Sequence, residues 1–176
     1  MSVKSESAKV LESLKFYGEF LKTLNNDIFL TTPQQGGWSF SEVYAHILSA
    51  NLLSVIAIEK CLNRSAEIKT RKPDWRAGLI LFFGRFPPGK FKVPQVLEAS
   101  VKKISKEEAS NELIRLVKKI TELEKGFSKF NPNYKVKHPR LGYLDAKSWL
   151  RFIYVHSKHH QKQIKRIGEM LSNSIN

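Results

Sequence analysis

Seven positions near the C-terminal end, Trp149, Ile153, His156, His160, Ile164, Ile167 and Leu171, follow one another in steps of three or four. That spacing puts all seven on one face of an α-helix. A chain with such a face must bury it, and two of the positions to be buried are histidines. Asp145 precedes the stripe as an N-cap candidate, so a helix is expected over 145–173. Three other stretches carry stripes of the same kind. Val3, Val10, Leu14, Tyr17, Leu21 and Leu24 predict a helix over 3–26. Val43, His46/Ile47, Ala50, Leu53 and Ala57 predict one over 39–63. Ala109, Leu113, Leu116, Ile120, Leu123 and Phe127 predict one over 105–130. Strand-like alternation is weak throughout. Four amphipathic helices of this length predict an all-α four-helix bundle, in which ligands project inward from facing helices.

Local signals punctuate these stretches. Thr31 to Gly37 reads as a turn. Ser39-Phe40-Ser41-Glu42 has the form of a capping box, with Trp38 and Val43 placed as a hydrophobic staple, and Ser105 to Glu108 repeats the box. Between the second and third helices, 64–104 is a long crossover. Within it, Asp74-Trp75 after Pro73 starts a short helix through Phe83, which Pro87-Pro88-Gly89 stops. The whole chain, 1–176, is expected to form one domain, since 176 residues can bury a single core without staples.

Composition adds charge and compartment. The chain has 30 Lys+Arg against 16 Asp+Glu, a net charge of +14. From Lys69 to Lys106 there are ten Lys/Arg against Asp74 and Glu98, a net of +8, together with four of the seven prolines. Such a stretch belongs at the surface. It can serve an anionic partner, or it can be a solvated basic face with its aromatics packed under the crossover. The single cysteine, Cys61, excludes an internal disulfide and fits a reducing compartment, so a cytoplasmic location is expected. Cys61 itself reads as a small buried hydrophobe. The N-terminus lacks a secretory pattern, and no apolar run approaches the roughly 20 residues that cross a bilayer, so no membrane partner is expected.

His156 and His160 continue the apolar register from Ile153 to Ile164, and His46 falls between Val43 and Ala50. A histidine on such a face is either a core imidazole hydrogen-bonded to backbone or a ligand. An i, i+4 pair can share one cation, which relieves two buried imidazoles of separate partners. Gln163, one turn after His160, either orients a ligand or faces solvent. Glu42, one turn before His46, is either a carboxylate behind the ligand or part of the cap, and the cap already accounts for it. His159 lies about 100° round the helix from His160, at an interface or the surface. His138 falls in a loop. No Walker loop, Rossmann glycine pattern, HExxH or paired-cysteine motif occurs, and no catalytic residue stands out.

Two motifs carry a family resemblance. Trp38-Ser39-x-x-Glu42-x-x-x-His46 resembles the W-S-x-x-E-x-x-x-H element of DinB-like proteins, and His156-x-x-x-His160-x-x-Gln163-Ile164 resembles their final H-x-x-x-H-x-x-Q-I element. His138-Pro139-x-x-Gly142-x-Leu144 is similar to a segment found before the last helix in one branch. The similarity runs over about residues 10–172, weakest in the basic crossover. It implies a four-helix bundle with a crossover between helices two and three. It also implies a divalent metal, commonly zinc or nickel, at His46, His156 and His160. The resemblance further implies metal-dependent chemistry with low-molecular-weight thiols, and a homodimer.

Two functions from different classes follow. The first is a metalloenzyme acting on a small anionic substrate, by transfer of a thiol or else by hydrolysis. The second is a non-catalytic binding module for nucleic acid or an acidic partner, with a structural or vestigial metal. Its support is the basic crossover with Trp75, Phe82, Phe83, Phe86 and Phe91 interleaved.

Overall fold

A computed structural model describes residues 2–70, 74–87 and 101–173. Among the described residues the helices are α1 (Val3–Thr23), α2 (Asn26–Leu30), α3 (Phe40–Leu62), α4 (Trp75–Phe83), α5 (Lys106–Gly126) and α6 (Ala146–Asn173). Three short strands accompany them, β1 (Glu67–Ile68), β2 (Tyr134–His138) and β3 (Gly142–Leu144), with a 3-10 turn at Phe127–Lys129. The long helices α1, α3, α5 and α6 form a four-helix bundle, with α5 and α6 each packing against both α1 and α3.

The apolar stripes explain this assembly. Val10, Leu14, Tyr17 and Leu21 of α1, Ala109 to Leu123 of the α5 stripe, and Trp149, Ile153, Ile164 and Ile167 of α6 are all buried. α3 is the innermost helix, buried over most of its circumference. One expected core position departs from the pattern. Leu53 is 46% exposed, and Val55 and Ile58 fill the core in that stretch instead. By length and composition α3 is also apolar enough to cross a membrane, contrary to the expectation that no stretch is. Yet 67% of its apolar window lies inside the bundle, so that apolarity serves the core.

Capping sets the helix ends. Ser39 and Glu42 form the expected reciprocal box at α3. At α5 only half of the second box forms, with Ser105 Oγ accepting from the Glu108 amide and no return bond from the carboxylate. Asp145 accepts from the Ser148 amide and caps α6 as expected. The first helix stops at Thr23, short of 26, because Asn25 caps a separate short helix through its side chain to the Ile28 amide.

The crossover holds the expected short helix, α4, capped by Asp74. It ends at Gly84 in the left-handed conformation (φ 67°), before the prolines are reached. Pro73, Pro88, Gly89 and Phe91 lie outside the described residues. Ser41 ties the far end of the crossover to α3, donating to the Ile104 carbonyl and accepting from its amide. Among the described residues the expected packing of aromatics under the crossover holds for Phe86, while Trp75, Phe82 and Phe83 face outward.

The small antiparallel sheet, in the order β1-β2-β3, was not expected from sequence. β2 and β3 form a hairpin with Val136 opposite Leu144 and His138 opposite Gly142. Strands of two, five and three residues are too short for alternation to register.

Candidate metal centre

α6 is held at a fixed rotation by polar contacts deep in the bundle. Tyr17 of α1 donates to the Ser157 carbonyl at 2.6 Å, and Asn51 of α3 donates to the Ser157 hydroxyl at 3.0 Å. Gln161 donates to the Ser13 carbonyl and hydroxyl of α1. With α6 so fixed, His156 and His160 point at α3, where His46 meets them. His156 Nε2 lies 3.2 Å from His46 Nε2 and 3.0 Å from His160 Nε2. One ligand nitrogen from each ring falls within 4.8 Å of the others, and all three residues are buried.

The electrostatics suit a cation. Burial, reinforced by His159, pushes the His46 imidazole down to about 4. Burial and then His46 push His160 to about 3, against a raising contribution from Gln163. His156 is lowered by burial first and by its histidine neighbours next. Three neutral imidazoles therefore converge, the protonation state a divalent ion requires. Gln163 Oε1 accepts from His160 Nδ1 at 2.6 Å, which leaves the lone pair of that ring at Nε2, facing the cluster. An ion at the convergence of the three nitrogens would replace the contacts between them. The donor set fits a borderline divalent metal such as zinc. His46 Nδ1, His156 Nδ1, Asn51 Oδ1 and Trp149 Nε1 are buried without a hydrogen-bond partner among the described residues.

Aromatic rings wall the cluster. Trp38 lies 5.2 Å from His46 and nearly parallel to His160 at 6.4 Å. Phe152 stacks on His156 at 5.3 Å. His159, half-buried, sits between His160 at 5.0 Å and Phe86 of the crossover at 5.2 Å. Its imidazole is lowered by burial, then by Arg166 and Lys162, whose positive charge therefore reaches this rim.

The residues singled out in the sequence divide cleanly. His46, His156, His160 and Gln163 come together, and His159 borders them. Glu42 does not join, because its Oε2 accepts from the Ser39 amide and hydroxyl at 2.8 and 2.7 Å. Cys61 is buried, and burial pushes its thiol up to about 11. His138 is buried too, contrary to its place in a predicted loop. Its Nδ1 accepts from the Arg140 and Leu141 amides and so closes the β2–β3 turn, one ring away from His156 across Phe152. Sequence reasoning missed Phe152 and Phe86 as walls and placed Trp38 only as a staple. Phe152 had a usable signal, four residues before His156.

Comparison with known proteins accords with this geometry. No curated protein sequence matches the chain. Among solved structures it resembles TT2238, described as a four-helix bundle protein, with 16% sequence identity and a TM-score of 0.59, over 94% of this chain and 99% of that one. That likeness concerns the fold alone. The family model of the DinB superfamily matches residues 17–164, which takes in all three histidines and at least part of each long helix, and the chain accordingly belongs to the DinB superfamily.

Proposed function

We propose that this protein holds a divalent metal, zinc or nickel, on the Nε2 atoms of His46, His156 and His160 and uses it to activate a low-molecular-weight thiol for transfer to a small anionic substrate. The observation that supports this reading is the convergence of three buried, neutral imidazoles from two helices, with Gln163 orienting one of them. Three protein ligands leave a coordination position for a reactant, the arrangement typical of catalytic rather than structural sites. A metal in such a site lowers the pKa of a coordinated thiol or water towards neutrality.

The chain's own residues supply the rest. Trp38 and Phe152 exclude water from the ligand rings, and Lys162 and Arg166 make the His159 rim electropositive, which suits an anionic reactant. Glu42 is engaged as the cap of α3 and does not join the histidine cluster, which favours a metal-activated thiol over hydrolysis. Assembly as a homodimer is proposed on family resemblance.

Metal analysis of tag-free protein should find about one equivalent of zinc or nickel, as a single three-histidine site requires. His156→Ala and His160→Ala should each lose that metal while far-UV circular dichroism stays unchanged. Either variant keeping full metal content would show that the ligands are others. Ester cleavage without any thiol, abolished by the same variants, would replace transfer with hydrolysis.

A further inference from the structure

α4 carries an apolar face that the bundle does not use. Trp75, Leu79, Phe82 and Phe83 are spaced i, i+4, i+7 and i+8, so they form one stripe along the helix. They are 67%, 47%, 79% and 61% exposed. The opposite side of the helix is docked. Ala77 is buried, and Arg151 of α6 donates from Nε to the Leu81 carbonyl at 2.9 Å while its Nη1 pairs with the buried Glu6 at 3.1 Å. α4 is therefore held in place with its large apolar side chains turned away from the core.

The sequence on either side of the stripe is basic. Between Lys69 and Lys92 the sequence has seven Lys/Arg and one acid, Asp74. The Asp74 carboxylate is engaged as the N-cap of α4. Arg76 lays its guanidinium over the Trp75 ring at 5.2 Å, and exposed Arg85 follows the other end of the helix.

We propose that α4 is a docking element for an anionic lipid surface, with Trp75, Leu79, Phe82 and Phe83 entering the interface and Arg76 and Arg85 meeting the headgroups. A short amphipathic helix with tryptophan and phenylalanine on one face and cations around it binds at the headgroup boundary without spanning the bilayer. Charge decides against the nearest alternative, since two copies meeting through this face would bring like charges together. Phe82 and Phe83 meet edge to face at 5.2 Å, and Leu79 falls between them and Trp75 in the helical register. The Phe82 and Phe83 rings pack on one another, whereas single-stranded bases stack on free aromatic faces. The proposal concerns a different element from the histidine cluster and does not depend on metal binding.

The test is co-sedimentation of the full chain with vesicles of phosphatidylcholine alone or with about one third phosphatidylserine. Binding is expected to the anionic vesicles, to weaken as salt is raised, and to be slight on the neutral ones. Phe82→Ser/Phe83→Ser, both at exposed sites, should lower vesicle binding about tenfold or more with the melting temperature unchanged. Arg76→Gln/Arg85→Gln should reduce the salt sensitivity. A blue shift of tryptophan emission on anionic vesicles should vanish in Trp75→Phe. No sedimentation at low salt, or equal binding by the double phenylalanine variant, would overturn the proposal. So would binding of a single-stranded oligonucleotide, or a concentration-dependent dimer, that the same variant abolishes; these would assign the face to nucleic acid or to a second copy.

Discussion

Gln163 and His138 show how one side chain fixes the state of another. Gln163 offers an amide oxygen to His160 Nδ1 and so decides which nitrogen of that ring faces the cluster. On the metal-binding reading, Gln163→Leu should weaken metal affinity about 10–100-fold by removing that hydrogen bond, measurable by competition with a chelating dye. Unchanged affinity would mean that packing alone orients the ring. His138 acts as an acceptor for two backbone amides and is held down to about 4 from its ordinary 6.5, by burial and then by Arg140. Between those two values the unfolded chain binds a proton that the folded one refuses. Stability contributed by His138 is therefore complete above about 6.5, is lost as pH falls, and is gone below about 4. His138→Asn keeps an acceptor oxygen but does not titrate. Its melting temperature should fall less than that of the parent between about pH 7 and about pH 5. Equal falls would sink this account. The inward register of His46, His156 and His160 was legible in sequence from their apolar neighbours. The turn-closing role of His138 was not, because it depends on where two amides arrive after the hairpin has formed.

Among the elements, α4 offers two glycines with opposite expectations. Gly84 ends the helix at φ +67°, and a Cβ there would lie 2.7 Å from Arg151 Nη2. That guanidinium cannot readily move aside, since Glu6 and the Leu81 carbonyl both hold it. Gly84→Ala should therefore destabilise by about 1–2 kcal/mol or more. Gly78 lies inside the same helix with nothing within 4 Å of a Cβ, so Gly78→Ala should stabilise by about 0.5–1 kcal/mol. Urea unfolding of the two variants checks both signs, and a matching sign would refute the description of α4. The long helices were readable because their stripes run for several turns and their caps are local. Ser39, Glu42 and Asp145 act on amides three residues or fewer away. The sheet was not readable, because β1 and β2 pair residues as distant as Glu67 and Lys135 over strands too short to show a period.

For the whole molecule, the candidate ligands bridge α3 and α6, so a bound ion would fasten two helices of the bundle together. Zinc supplied at about a hundredfold over its dissociation constant should add about 2.7 kcal/mol of stability, which for a chain of this size raises the melting temperature by about 5–10 °C. His46→Ala should abolish the rise. No shift in the parent, or the same shift in the variant, would remove the metal from the account.

By itself the sequence determined four long helices, their inward faces and the three histidines on them, since periodicity and capping depend on residues a turn or two apart. It also supplied interleaved aromatics and a basic segment around Trp75 without saying which side of the crossover either would take. Tertiary structure alone decided that His46 would meet His156 across the bundle, that Glu42 would be consumed by its cap, and that α4 would be docked by Arg151 with its aromatics outward. Each of those outcomes depends on contacts between residues far apart in the chain, which no local pattern encodes.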